Sequence, residues 1–161
     1  MELVYRRATA EDLELLVETR LEVLRSANGL GDGADMSEVE AQCRRYYPSA
    51  LKSDAHTAYL VFDGDKFVGA CGISYYTVMP TCSNPSGRKG YIMNMYTHPA
   101  YRRRGIAMKT LDLLVADARK RAVVSISLEA TDMGRPLYEK YGFVPMRNEM
   151  ELPMCSSGSA E

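Results

Sequence analysis

A chain of 161 residues, 46% of them apolar, has the size of one ordinary domain and can bury one core. Its formal net charge of −1 gives no general attraction to nucleic acid or to a membrane surface, so any basic site has to be local. Four widely spaced cysteines without a CxxC pair, and only two histidines, His56 and His98, argue against a disulfide framework or a zinc site, and no metal is expected.

No apolar run approaches the roughly 20 residues of a membrane span, and the stretch from Met1 to Arg7 lacks the apolar centre of a signal peptide. A cytoplasmic protein with reduced thiols is the expectation. Residues 3–7 read as a short strand. Thr9 is placed to cap a helix that has Glu11 and Asp12 in its first turn and Leu13, Leu16, Val17, Leu21 and Leu24 at helical spacing. The run Asn28-Gly29-Leu30-Gly31-Asp32-Gly33 ends it. Ser37 with Glu40 has the form of a capping box, opening a second helix expected to stop at Tyr47, before Pro48.

Residues 57–62 and 66–76, rich in β-branched and aromatic side chains, predict a hairpin turning at Asp63-Gly64. A loop follows over 79–90, then a strand over 91–97, a helix over 103–121 and a largely buried strand over 123–128. A short helix over 135–141 closes on Gly142, and 143–146 and 149–152 are expected as terminal strands. The pattern βαα, β-meander, βαβαβ makes a mixed α/β domain around one sheet, spanning 1–154 without repeat or linker; the small polar tail 155–161 is expected to fray.

The most informative stretch is Met95-Tyr96-Thr97-His98-Pro99-Ala100-Tyr101-Arg102-Arg103-Arg104-Gly105-Ile106-Ala107, which leads from a strand through a basic turn into a helix. The first N–H groups of a helix lack internal acceptors, the helix dipole adds positive potential there, and three arginines add full charge. A phosphate or pyrophosphate fits such a place, and Gly105 lets backbone and ligand approach closely. The spaced glycines Gly29, Gly31 and Gly33 do not qualify as a phosphate loop, because no strand precedes them and no suitable helix starts on the last. His98, at the strand exit before Pro99, reads as a solvent-facing residue.

Arg102-x-x-Gly105-x-Ala107 after a strand and a proline resembles the Gln/Arg-x-x-Gly-x-Gly/Ala signature of the Gcn5-related N-acetyltransferase (GNAT) superfamily. Tyr5-Arg6-Arg7-Ala8-Thr9-x-Glu11-Asp12 resembles its first strand and helix, and Leu137-Tyr138-Glu139-Lys140-Tyr141-Gly142-Phe143 its late Leu-Tyr-Glu-Lys-x-Gly-Phe motif. The matches cover nearly the whole chain. The resemblance implies a mixed sheet of about seven strands flanked by about four helices, with acetyl-CoA as acyl donor between the fourth and fifth strands.

The resemblance also carries roles for single residues. The amides of Arg103, Arg104, Gly105, Ile106 and Ala107, with Arg102 beside them, would hold the pyrophosphate, and the backbone of Met95, Tyr96 and Thr97 the pantetheine arm and thioester carbonyl. Tyr138 matches the tyrosine that protonates the leaving thiolate, a role suited to a phenol that keeps its proton at neutral pH. Thr131 stands where many relatives have an asparagine that bonds the cofactor arm. The carboxylate base that some relatives place early in the fourth strand is missing here, which leaves ordered water or Glu129 for that role. Asn94 is a candidate to orient acceptor or water.

The expected acceptor is a primary amine of a small molecule, contacting the region 28–47 and the loop 79–90. Asp32, Asp35, Glu38 and Glu40 either attract a cationic amine or form a solvated helix start. A protein amine is the alternative acceptor, and a non-catalytic acyl-CoA-binding module or a purely structural domain the alternative class. Homodimers are common in the superfamily, so a dimer is also an expectation.

Overall fold

The computed structural model describes residues 2–153, so the tail 155–161 lies outside the described residues. Five strands run in the order β1 Leu3–Arg7, β2 His56–Asp63, β3 Lys66–Thr77, β4 Arg88–Thr97 and β5 Ser125–Leu128 across one sheet. The first four pair antiparallel, while β4 and β5 are parallel, as the crossover between them requires. The helices are α1 Leu13–Ala27, α2 Ser37–Lys52, α3 Ile106–Lys120 and α4 Arg135–Tyr141. Mixed α/β order is as the sequence predicts.

Each element has a local cause. The Thr9 hydroxyl accepts from the Glu11 N–H at 3.3 Å while the Asp12 carboxylate accepts from the Thr9 N–H at 2.8 Å, a reciprocal cap that starts a short 3-10 turn and then α1. The hairpin turns at Gly64-Asp65 with Asp63 opposite Lys66, and Gly142, at φ 119°, ends α4.

Two expectations about α2 are corrected. Ser37 does not cap it: the Asp35 carboxylate accepts from the Ser37 N–H at 3.0 Å, and Glu40 pairs with Arg44 at 3.0 Å. Pro48 does not stop it either. The helix continues to Lys52 because Pro48 points to solvent while its neighbours Tyr47 and Ala50 are buried, and that packing outweighs one missing helical hydrogen bond.

The sheet has five strands among the described residues, not about seven. Residues 143–146 and 149–152 form no ladder, with Pro145 lacking a donor and Val144, Met146, Met150 and Leu152 exposed. β4 begins at Arg88, earlier than expected, and the connecting loop is accordingly shorter. Val78 donates to the Gly87 carbonyl across that loop at 2.9 Å. Gly87 has φ +68°, and a Cβ there would collide with the Val78 carbonyl. Gly87→Ala is therefore expected to destabilise the fold by about 1–3 kcal/mol, read as a fall of several degrees in Tm.

α1 and α2 cover one face of the sheet and α3 and α4 the other. Leu16, Val17, Tyr47, Ala58, Leu60 and Ala70 form the core on the first face. Cys71, Ile73, Ile92, Leu111, Leu114 and Tyr138 belong to the core on the second. At one point the second layer comes unusually close: a Cβ on Gly69 would lie 3.3 Å from the Ile106 side chain and 3.1 Å from the Tyr96 carbonyl. The bare backbone of Gly69 lets the first turn of α3 settle directly onto β3 beside β4.

Candidate active site

Strand β4 is irregular where the candidate residues begin. Gly72 faces Met93 and Ala70 faces Tyr96, so Asn94 and Met95 together oppose the single residue Cys71. Asn94 takes the extra residue with φ +59°, a left-handed conformation that asparagine tolerates better than most side chains. It is only 7% exposed, and its Oδ1 is fully buried without a hydrogen-bond partner among the described residues. Buried polar atoms are nearly always paired, so an unpaired one at the bulge is unusual.

The other edge of β4 opens at the same level. Its pairing with β5 runs from Lys89 with Ser125 to Ile92 with Leu128, where β5 ends. From Met93 to Thr97 the strand is bonded only to β3, and the two strands part into a cleft with unclaimed β4 backbone along one side.

Side-chain alternation then divides the cleft between the two faces of the sheet. Met95 packs in the cluster that contains Ile92, Leu111 and Tyr138. Tyr96 points the other way and stacks on Phe67, ring centroids 5.8 Å apart and planes within 5°. Tyr138 is 8% exposed on α4, its ring edge-on to Phe143 at 6.1 Å, and its hydroxyl bonds no other described residue. Burial pushes its phenol above the usual value.

β4 leads through Thr97 into a second 3-10 turn, Pro99–Tyr101, capped by the His98 ring, which accepts from the Ala100 N–H at 3.2 Å. His98 is thus half-buried and occupied with backbone, rather than simply facing solvent. The Tyr101 hydroxyl donates to Asp63 at 2.8 Å, and the Arg104 guanidinium lies 5.1 Å from the centre of the Tyr101 ring. Arg102 donates from Nε to the Thr97 carbonyl at 3.3 Å.

Arg103, at φ +64°, and Gly105, at φ +80°, both turn left-handed and bring the chain into α3. The first helical hydrogen bond is from the Lys109 N–H to the Gly105 carbonyl at 3.0 Å, so the N–H groups of Ile106, Ala107 and Met108 have no helical acceptor. Nothing lies within 4 Å of where a Gly105 Cβ would stand. Open space, outward amides, a helix N-terminus and three exposed arginines coincide there. Ile106 contributes only backbone to this surface, since its side chain is 1% exposed in the core.

These features, on a five-stranded mixed sheet, are matched by known proteins. The profile described as the acetyltransferase (GNAT) family matches residues 21–143. The chain belongs to the acetyltransferase (GNAT) family. A protein described as a predicted acetyltransferase from Clostridium acetobutylicum, solved with acetyl-CoA, is 34% identical, with a TM-score of 0.87 over 94% of this chain and 96% of that one. A GCN5-related N-acetyltransferase from Ralstonia eutropha is 26% identical, with a TM-score of 0.84 over 96% of this chain and 100% of its own. An uncharacterized N-acetyltransferase of Bacillus subtilis, YsnE, is 30% identical over 98 residues, 58% of this chain, and the match spans 59% of the relative's length. The fold is that of these GNAT structures, and acetyl-CoA is the acyl donor of the family.

Within the GNAT frame, Glu129 and Thr131 both lie just beyond the end of β5. The Thr131 hydroxyl accepts from the Gly134 N–H at 3.2 Å, tying the turn that leads into α4, while its O–H remains a donor. Glu129 follows β5 and lies next to the Tyr91 phenol, on the face of α1 and α2, away from Tyr138. Three of the four acidic residues before and in α2 have protein partners: besides Asp35 and Glu40, Glu38 accepts from Gln42 at 2.9 Å.

Sequence reasoning missed what lines that first face. Glu22 of α1 approaches the Tyr96 phenol. Tyr46 bonds His56 Nδ1 at 3.0 Å and Ser74 at 2.7 Å, and burial, then Arg20, push the His56 pKa down to about 4. The signal available in the sequence was Arg20, on the apolar stripe of the first helix. Two hollows of 420 and 260 Å³ lie along α2 and beside Arg88 and Arg121; none of the predicted catalytic or cofactor residues lines them, but Gln42, Arg45 and Tyr46 at the first and Arg88 and Lys89 at the second belong to the segments expected to meet the acceptor. Among the described residues no helix is long and apolar enough to cross a membrane, and no cluster of His, Cys, Asp or Glu has the makings of a metal site.

Proposed function

We propose that this chain is an acetyl-CoA-dependent N-acetyltransferase that acetylates the primary amine of a small molecule by direct attack. The observation that carries the reading is the parting of β4 from β5 beyond Ile92, beside the Asn94 bulge and continuous with the anion-ready turn at Gly105. Bound acetyl-CoA supplies an acyl thioester, an electrophile with a sulfur leaving group. The amides from Arg103 to Ala107, with Arg102 beside them, hold its pyrophosphate. The β4 backbone of Met95, Tyr96 and Thr97 holds the pantetheine arm, and an N–H there stabilises negative charge developing on the acyl oxygen.

The two faces of the sheet divide the proton work. On the face of α1 and α2, Glu129 takes the proton that the amine loses, directly or through water, while Asn94 Oδ1 accepts from the amine or that water. On the face of α3 and α4, Tyr138 gives its proton to the departing sulfur. The new N–C bond forms as the C–S bond breaks, and the two protons are exchanged with groups on opposite sides of the cleft. Thr131, whose oxygen caps the turn before α4, still has its O–H to donate to the cofactor arm.

Thermal unfolding with and without acetyl-CoA tests the reading. At a concentration about 100 times Kd, a ligand that binds only the native state adds about 2.7 kcal/mol, which raises Tm by several degrees. No rise at millimolar acetyl-CoA would sink the proposal. A rise without thiol release on any amine of a broad panel would favour a non-catalytic acyl-CoA-binding module instead.

A further inference from the structure

The inward stripe of α1 carries Leu13, Leu16 and Val17, and then, one turn on, Arg20. Leu16 and Val17 are each 1% exposed. Helical periodicity therefore aims Arg20 with them, toward α2 and the sheet. α1 packs on both α2 and β4, and the arginine's charge is felt by Cys43 and Tyr47 of α2, by His56 of β2 and by Tyr91 of β4. Arg20 is half-buried, yet it forms no hydrogen bond or ion pair with any described residue.

Among the described residues no carboxylate pairs with it. Burial holds Cys43, Tyr47 and Tyr91 protonated and His56 neutral, all at physiological pH. On its own helix, Glu18 and Glu22 are exposed, and Glu22 turns to Tyr96. Glu129 stands across Tyr91. The face from which the amine has to reach the β4 cleft thus holds an unpaired guanidinium amid neutral aromatic groups, with a carboxylate on the far side of Tyr91.

We infer that Arg20 is a specificity-determining anchor for an anionic group on the acceptor, and that the acceptor is an amine bearing a carboxylate. This inference rests on the acetyl-transfer reading above. The planar fork of a guanidinium matches a carboxylate with two parallel hydrogen bonds, and a half-buried site strengthens them. A single cation suits a singly charged group better than a phosphate. Tyr46, exposed, and Tyr91, half-buried, offer aromatic surface on this face, which fits an apolar or aromatic body between the two charges. Glu129 and Arg20 would then orient the substrate by opposite charges, with its amine toward the Asn94 bulge.

The test uses matched amines: phenylalanine against phenethylamine, lysine against cadaverine, and phosphoethanolamine as the phosphate arm. Thiol release is followed for wild type, Arg20→Lys and Arg20→Gln, with the acetyl-CoA melting shift as control. Wild type is expected to prefer a carboxylated amine over its twin by about tenfold or more in kcat/KM. Arg20→Gln should erase the preference through a rise of about ten- to a hundredfold in KM, the size expected for a lost charge-assisted hydrogen-bonded pair, while Arg20→Lys recovers part of it. Equal use of the twins by wild type, a preference for phosphoethanolamine, or a preference that survives in Arg20→Gln would overturn the inference and leave the acetyl-transfer reading standing. Should none of these amines turn over, melting of the coenzyme A complex with N-acetyl amino acids decides: stabilisation lost in Arg20→Gln supports the anchor, and no stabilisation of wild type refutes it. Loss of the acetyl-CoA shift in wild type is the separate result that removes the acetyl-transfer reading itself.

Discussion

Gly105→Glu should abolish measurable binding of acetyl-CoA while leaving the protein folded. The position is exposed, and nothing stands within 4 Å of the added Cβ, so the substitution meets no packed neighbour. The left-handed φ of +80° costs a non-glycine residue about 1–2 kcal/mol. A carboxylate at a helix N-terminus offsets part of that through the helix dipole. For a pyrophosphate on the same amides the new side chain is a competitor of like charge occupying the same space. The expected loss in affinity is at least a hundredfold, or about 2.7 kcal/mol, measured by titration calorimetry and accompanied by loss of the melting shift. Gly105→Ala separates the effects, since it carries the backbone strain without the charge and should weaken binding far less. Wild-type affinity in a folded Gly105→Glu protein would mean that the phosphate site is elsewhere.

Tyr138→Phe is expected to lower kcat by about a hundredfold or more, with the Kd for acetyl-CoA unchanged within about a factor of two. Its hydroxyl bonds no other described residue, so phenylalanine can take the same place against Phe143 and the Leu111 and Leu114 side chains with little change in stability. A loss confined to kcat is the mark of a group that acts as the reaction proceeds rather than in binding. Equal losses in binding and turnover would assign Tyr138 to packing. The direction of its pKa adds a second check. Burial raises it, so the phenol keeps its proton past the ordinary value of about 10, and wild-type kcat should show no alkaline loss from Tyr138 below that pH. The same shift makes its contribution to stability full below about pH 10 and progressively lost above it.

Much of the fold was legible because it rests on interactions between residues close in sequence. The cap at Thr9 and Asp12, the turn at Gly64 and the left-handed stop at Gly142 are decided within a few residues of chain. The basic turn into α3 is of the same kind. A glycine at its end and an arginine run before it suffice to suggest outward amides, whatever the rest of the fold does. The errors came where local rules met packing. Pro48 ends a helix in isolation, but not one held down by Tyr47 and Ala50 on either side of it. The alternation over 143–152 describes strands that have no partner to bond with.

The sequence by itself therefore determined the mixed α/β order, the anion-ready turn at Gly105 and the late tyrosine motif, since each depends on spacing along one segment. Only the tertiary structure decided the cleft. The Asn94 bulge is a mismatch of register between β3 and β4, and the parting beyond Ile92 depends on how soon β5 ends. The assignment of Glu129 and Tyr138 to opposite faces follows from side-chain alternation around that cleft. Arg20 was visible as an arginine on an apolar stripe, but what it faces was not, because a helix specifies its own inward side and leaves to the sheet, and to α2, what it finds there.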